Sequence, residues 1–278
     1  GGGMIGAGWA RLLRQHGHTV AVHDEQRERS EATLAAAVAG ADLVIEAVVE
    51  VEQVKRRVLA QAAQHAPAEA LLASSSSGIL PSRLQEGLPR PERMLVLHPL
   101  HPVELLPVVE VVPGARTAPE AVTRAAVLLR ALGKLPVILK REAPGYVVNR
   151  LAAALWREAI NLVLEGVADP ESVDIAASRG PCLGWAIQGP FLTYQLAAPG
   201  GLGAFMAHLH PAFQAIWASL ADWEAVPPGG IERLAEMAAQ VYGGREAEYA
   251  RQRDRALTAV LNQLNDDGSS FDSIRPHS

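Results

Sequence analysis

The sequence predicts an α/β protein: a doubly wound sheet of short strands and helices, followed by a second domain of helices alone. Three observations carry this. Short apolar strands alternate with helical stretches as far as Lys140, the pattern of a sheet wrapped by crossover helices. A glycine cluster opens the chain, directly ahead of helical sequence. Beyond Ala143-Pro144-Gly145 the strand signals give out, and apolar residues recur at three- and four-residue spacing.

The opening, Gly1-Gly2-Gly3-Met4-Ile5-Gly6, fits G-x-G-x-x-G, and a helix follows from Ala7 to His16. Gly17-His18 breaks it, and Thr19-Val20-Ala21-Val22-His23 reads as a strand ending at Asp24. In a dinucleotide-binding βαβ unit the glycines let the backbone turn tightly against a pyrophosphate, and the helix N-terminus supplies N–H donors. The acid on the adenosine ribose stands about 20 residues on; here the gap is 24 − 6 = 18. Glycine clusters also mark strand–helix junctions that bind nothing, and it is the order of helix, break, strand and Asp that favours the cofactor reading. A carboxylate repels a 2′-phosphate, so the expected cofactor is NAD rather than NADP. Such a unit has a strand ahead of its glycines. None precedes Gly1, so a truncated or misassigned start is expected.

Further along, Ser30 to Val38 reads as helix, Ala41 to Val49 as a strand covered on both faces, and Glu50 to His65 as helix. Ala70–Ala73, Arg93–Leu97, Val108–Val112 and Leu135–Lys140 read as strands. Thr117-Ala118-Pro119-Glu120 reads as a capping box for a helix stopped at Gly133. The helical domain starts with a long helix through Leu151, Leu155 and Leu162, and continues over 170–178, 190–197, 202–221, 231–242 and 245–264. The expected domains are 1–142, 143–264 and a polar tail, 265–278.

Composition narrows the function classes. With 25 basic and 30 acidic residues the net charge is −5, a poor match to nucleic acid or an anionic membrane. One cysteine, Cys182, excludes a disulfide framework and a multi-thiolate zinc site. No apolar stretch approaches the roughly 18 residues of a membrane span, and no secretory signal is seen. A cytoplasmic protein is expected.

The densest chemistry is Leu97-His98-Pro99-Leu100-His101-Pro102, followed by Val108-Val109-Glu110-Val111-Val112. A reversing loop could bring His98 to Glu110, 12 residues on. A carboxylate fixes the tautomer of an imidazole and stabilises its charged form, as a general base for a hydroxyl proton requires. By spacing alone, a strand-end histidine and a solvated carboxylate remain the more frequent case. A metal on His98 and His101 has no further ligand cluster to complete it, so no metal is expected. Ser74 to Ser77 is a loop with hydroxyl–backbone bonds or a hydrogen-bonding edge for a substrate oxygen. A hydrolase elbow sequence is absent there.

Taken together, GGGMIGAGWA, ADLVIEAVVEVEQVK, LASSSSGILPSRL, HPLHPVELLPVVEVVPG, APGYVVNRL and GPFLTYQL resemble the 3-hydroxyacyl-CoA dehydrogenase superfamily, most of all its lambda-crystallin/L-gulonate 3-dehydrogenase branch. The resemblance implies a Rossmann-type NAD domain, with its first strand missing here, and a helical dimerisation domain in a homodimer. It places Gly1, Gly3, Met4, Ile5 and Gly6 at the pyrophosphate, Asp24 on the ribose, and Glu50 and Lys55 at the cofactor. It makes His98 the catalytic base, Glu110 its orienting partner, Ser77 the group meeting the substrate hydroxyl, and Asn149 a residue facing the active site. It implies oxidation of a 3-hydroxyl on a small hydroxy acid such as L-gulonate, with 3-hydroxyacyl-CoA and carnitine as alternatives. A relative that holds NAD without turnover, as a crystallin, is the alternative of another class. The chain departs from the pattern at His101, where the family has Asn, at Gly184 before Trp185, where the branch has Arg, and in the short stretch from Asp24 to Glu46. That shortening removes the helical pair that clamps CoA in acyl-CoA members.

Overall fold

A computed structural model describes residues 1–266 apart from 27 and 29. The chain divides into two units, the first Gly1–Ala152 and the second from Ala153 onward. The expected boundary was ten residues earlier, and the expected polar tail lies, from residue 267 on, outside the described residues.

In the first unit β1 (Leu43–Glu46), β2 (Leu71–Ser74), β3 (Met94–Pro99), β4 (Val108–Pro113) and β5 (Leu135–Ile138) form one sheet in sequence order. β1, β2 and β3 run parallel, as do β4 and β5, while β3 and β4 pair antiparallel. Residues 100–107, the only chain between β3 and β4, are too short for a parallel crossover, which needs a dozen residues or more.

Side chains alternate across this sheet. Leu71, Ala73, Leu95, Leu97, Val109 and Val111 face one layer, formed by α1 (Met4–Gln15) with Trp9 and Leu12 and by α5 (Pro119–Ala131) with Ala125 and Leu129. Leu72, Met94, Val96 and Val112 face the other, with Leu59 of α3 (Glu52–His65) and Leu84 of α4 (Pro81–Leu84). Every residue of β2 and β3 is buried. This is the doubly wound α/β arrangement that the sequence predicts.

Several local expectations change. Thr19–His23 joins no ladder. The Val22 carbonyl instead accepts from the amides of Glu31 and Ala32, at 2.7 and 3.2 Å. Ala21 and His23 line a cavity of about 360 Å³ together with Leu43 and Ile45 of β1. The helix expected over 30–38 shortens to α2 (Leu34–Val38), where the Thr33 hydroxyl caps by accepting from the Ala36 amide at 3.2 Å. No side chain caps α5. Thr117 is turned away, its hydroxyl donating to the Met94 carbonyl at 2.6 Å and accepting from Gln85 and the Gly114 amide.

Among the described residues the second unit has no strand. It contains the body of α6 (Val148–Leu164), α7 (Pro170–Arg179), α8 (Pro181–Leu196), α9 (Gly201–Ser219), α10 (Gly230–Tyr242) and α11 (Glu246–Asp266). The Asp169 carboxylate caps α7, accepting from the Ser172 amide at 2.7 Å. α8 starts ahead of the helix expected at Pro190 and breaks at Gly189, whose φ is 72°. No described helix is long and apolar enough to cross a membrane.

Candidate active site

The first wall of the site is the glycine turn. A Cβ on Gly6 would lie 1.8 Å from the Gly1 carbonyl oxygen, and one on Gly1 would lie 2.4 Å from that of Ala47. Only residues without a Cβ let the turn close against the end of β1. No side chain caps α1, and Met4 in its first turn is exposed. The Gly2 amide donates to Asp24 Oδ2 at 2.6 Å, and Asp24 Oδ1 accepts from the Gln26 amide at 2.8 Å. Gly1, Gly3, Asp24, Ala47 and Val48 line the 360 Å³ cavity together. An uncapped helix N-terminus beside a carboxylate fits a dinucleotide: amide donors for its phosphates, an acceptor for its ribose hydroxyls.

Beneath that wall lies a network of which the sequence reading named Glu50 and Lys55 but not Glu46. Glu46 ends β1 with its side chain fully buried, and its carboxylate accepts from the Val48 amide at 2.6 Å and the Ser74 hydroxyl at 2.6 Å. Lys55 Nζ, also buried, reaches Glu46 Oε1 at 3.0 Å, the Val48 carbonyl at 3.1 Å and Glu50 Oε2 at 3.3 Å. The structure thus places the Lys55 ammonium under the turn. Glu50 carries the network onward, accepting from the Ser76 hydroxyl and the Ser77 and Gly78 amides at 2.5, 2.9 and 3.2 Å. Burial pushes the Glu50 carboxyl up, but Ser76, Lys55 and the Ser77 amide outweigh it and hold it below its ordinary range. An acid within an otherwise apolar strand, with a lysine nine residues on, was the available signal.

The second wall is the β3–β4 pair. His98 and Glu110 are direct ladder partners, on the same face as Val96 and Val112 by the two-residue period. Both are buried, and His98 Nδ1 lies 2.7 Å from Glu110 Oε2. The other oxygen, Oε1, accepts from the Val147 and Val148 amides at 2.7 and 3.0 Å, the amino end of α6. Burial pushes the Glu110 carboxyl up; the imidazole and the two amides outweigh burial and hold it below the usual carboxylate range. An ionised carboxylate only accepts, so Nδ1 carries a proton, and the acceptor of the neutral ring is Nε2.

Ser77 and Asn149 are joined directly: Asn149 Nδ2 donates to the Ser77 carbonyl at 2.7 Å. Tyr146, given no role by the sequence, is buried beside His98 with ring centroids 5.4 Å apart. His101 is exposed. Among the described residues no group of three or more His, Cys, Asp or Glu could hold a metal.

Residues 29–142 match the 3-hydroxyacyl-CoA dehydrogenase NAD binding domain, and residues 145–223 match the C-terminal domain of the same enzymes. The chain belongs to the 3-hydroxyacyl-CoA dehydrogenase family. It is 38% identical to an L-carnitine dehydrogenase of Bacillus cereus, over 95% of this chain and 90% of that protein. It is 37% identical to an L-carnitine dehydrogenase of Pseudomonas aeruginosa, over 96% and 92%. Among solved structures it resembles 5-formyl-3-hydroxy-2-methylpyridine 4-carboxylic acid 5-dehydrogenase, an NAD+ dependent dismutase. The TM-score is 0.76 at 30% identity, covering 92% of this chain and 83% of that one. As a family member the chain is an NAD-dependent dehydrogenase acting on a CH–OH group. The relatives carry the carnitine name, which displaces L-gulonate as the first expectation for substrate.

Proposed function

We propose that this enzyme oxidises the 3-hydroxyl of L-carnitine, or of a close 3-hydroxy acid, to the 3-oxo compound. The observation that supports the chemistry is the His98–Glu110 pair, an imidazole whose Nδ1 is 2.7 Å from an ionised carboxylate. Support for the substrate comes from the named relatives. The short stretch between Asp24 and β1, with α2 its only described α-helix, stands against a clamped CoA ester.

Bound NAD supplies the hydride acceptor. His98 Nε2 takes the hydroxyl proton as the carbon–oxygen double bond forms, and Glu110 stabilises the resulting imidazolium. Ser77 orients the hydroxyl, and Asn149, through the Ser77 carbonyl, holds that loop in place. Gly1, Gly3, Met4, Ile5 and Gly6 receive the pyrophosphate and Asp24 the ribose; Glu50 shapes the loop between them, with Lys55 beneath. The helical unit pairs two copies into a homodimer. Its Phe191 is 79% exposed and its Trp156 63%, large apolar side chains of the kind a subunit contact covers.

The test is NADH formation, followed by absorbance, with L-carnitine, L-gulonate and 3-hydroxybutyryl-CoA offered in turn. Turnover with L-carnitine above the other two is expected. Preference for the CoA ester overturns the substrate assignment. Protection from heat by NAD with no NADH from any of the three would instead mark a binding-only protein.

A further inference from the structure

Tyr146 stands in an unusual place. It is the one residue other than glycine with positive φ among the described residues, at 54°, a left-handed conformation that a side chain with a Cβ disfavours. It is also 1% exposed. Turns of this kind ordinarily take glycine, and Gly145 directly before it also has positive φ. A bulky residue held there by its surroundings points to a role for its side chain.

Three contacts supply that role. The turn at Tyr146 directs the next two amides, Val147 and Val148, onto Glu110 Oε1 at 2.7 and 3.0 Å. The ring stands edge-on to the His98 imidazole, with centroids 5.4 Å apart at 61°. The hydroxyl donates to the Ile79 carbonyl at 2.7 Å, two residues beyond Ser77. One side chain and its turn therefore touch the imidazole, its carboxylate partner and the serine loop.

We propose that Tyr146 is a positioning residue for the His98–Glu110 pair: its turn fixes the carboxylate, its ring backs the imidazole, and its hydroxyl ties both to the Ser77 loop. This rests on His98 being the base. A residue that only fills the core would affect stability and leave the imidazole hydrogen bond as it is. An imidazole N–H held by a carboxylate gives a downfield proton resonance, which reads that bond without cofactor or substrate.

The experiment compares Tyr146→Phe, Tyr146→Leu and His98→Asn, each checked for folding by circular dichroism. Phe and Leu carry the same Cβ, so the cost of the turn is unchanged. His98→Asn identifies the resonance by its disappearance. Tyr146→Phe is expected to lower kcat about tenfold, as loss of one buried hydrogen bond does, to change KM for L-carnitine less than about twofold, and to broaden the resonance. Tyr146→Leu is expected to lower kcat about a hundredfold and to abolish the resonance. If Tyr146→Leu does not fold, Tyr146→Phe decides alone. Wild-type kcat and an unchanged resonance in the folded variants overturn the proposal. Wild-type turnover in His98→Asn overturns the base assignment itself.

Discussion

His98 and Glu110 face each other across one rung of the β3–β4 ladder, Nδ1 to Oε2 at 2.7 Å. In an antiparallel pair, opposite side chains on one face are already adjacent. No loop rearrangement is needed to bring base and carboxylate together.

His98→Asn is expected to lower kcat by about 10²–10⁴-fold, the range for a lost general base, while NAD still raises the melting temperature. Glu110→Gln is expected to lower kcat by a similar factor. Each oxygen of Glu110 is engaged, Oε1 by two amides and Oε2 by the imidazole. A glutamine has one oxygen, so its amide group opposes a donor on one side. NADH absorbance and thermal melts in NAD check both variants, and wild-type kcat in either one removes the assigned role.

Glu110 also links stability to pH. Its folded carboxyl lies below the ordinary 4.5, so its contribution is full above about 4.5 and is lost as pH falls through the lower folded value. The part of the stability difference between the wild type and Glu110→Gln that comes from this carboxyl is therefore expected to shrink as pH falls below about 4.5. Urea midpoints measured above and below that pH report it; a difference that grows as pH falls reverses the sign.

The Glu46–Lys55 pair is buried on both sides. Lys55→Met strands the Glu46 charge, and a loss of about 3–5 kcal/mol is expected. Glu46→Gln combined with Lys55→Met is expected to recover a measurable part of it, because the fully buried charge is removed with its partner and only the exposed Glu50 is left without Lys55. Denaturant unfolding of the two variants checks this. A double variant less stable than Lys55→Met alone argues against a stranded charge.

Asp24→Ala is expected to weaken NAD binding about tenfold, roughly one charged hydrogen bond, and to narrow the preference for NAD over NADP. Calorimetric titration with each nucleotide measures both effects. Unchanged NAD affinity takes the ribose away from this carboxylate.

Much of this was legible in the chain. The strands of the sheet and the glycine turn rest on local patterns, which sequence displays directly, and the 12 residues from His98 to Glu110 suit one reversal between adjacent strands. What escaped was decided by partners distant in sequence. Thr117 looks like a cap by spacing, but the Met94 carbonyl, 23 residues away, holds its hydroxyl. Glu46 reads as one acid in an apolar run because Lys55 and Ser74, which make its burial tolerable, belong to other elements. Tyr146 follows Pro144-Gly145 as an ordinary turn residue would, and its φ is set by what surrounds it. Thr19–His23 has strand composition, yet composition does not supply a ladder partner.

The reversal between β3 and β4 has a consequence for assembly. His98 and Glu110 lie 12 residues apart, so their meeting is a short-range closure whose entropic cost grows only slowly with loop length. A contact of such low sequence separation forms readily from a disordered chain. The reactive pair is thus a hairpin product: its two strands are expected to meet early in folding, and the Val147 amide, 37 residues beyond Glu110, completes the alignment when α6 docks.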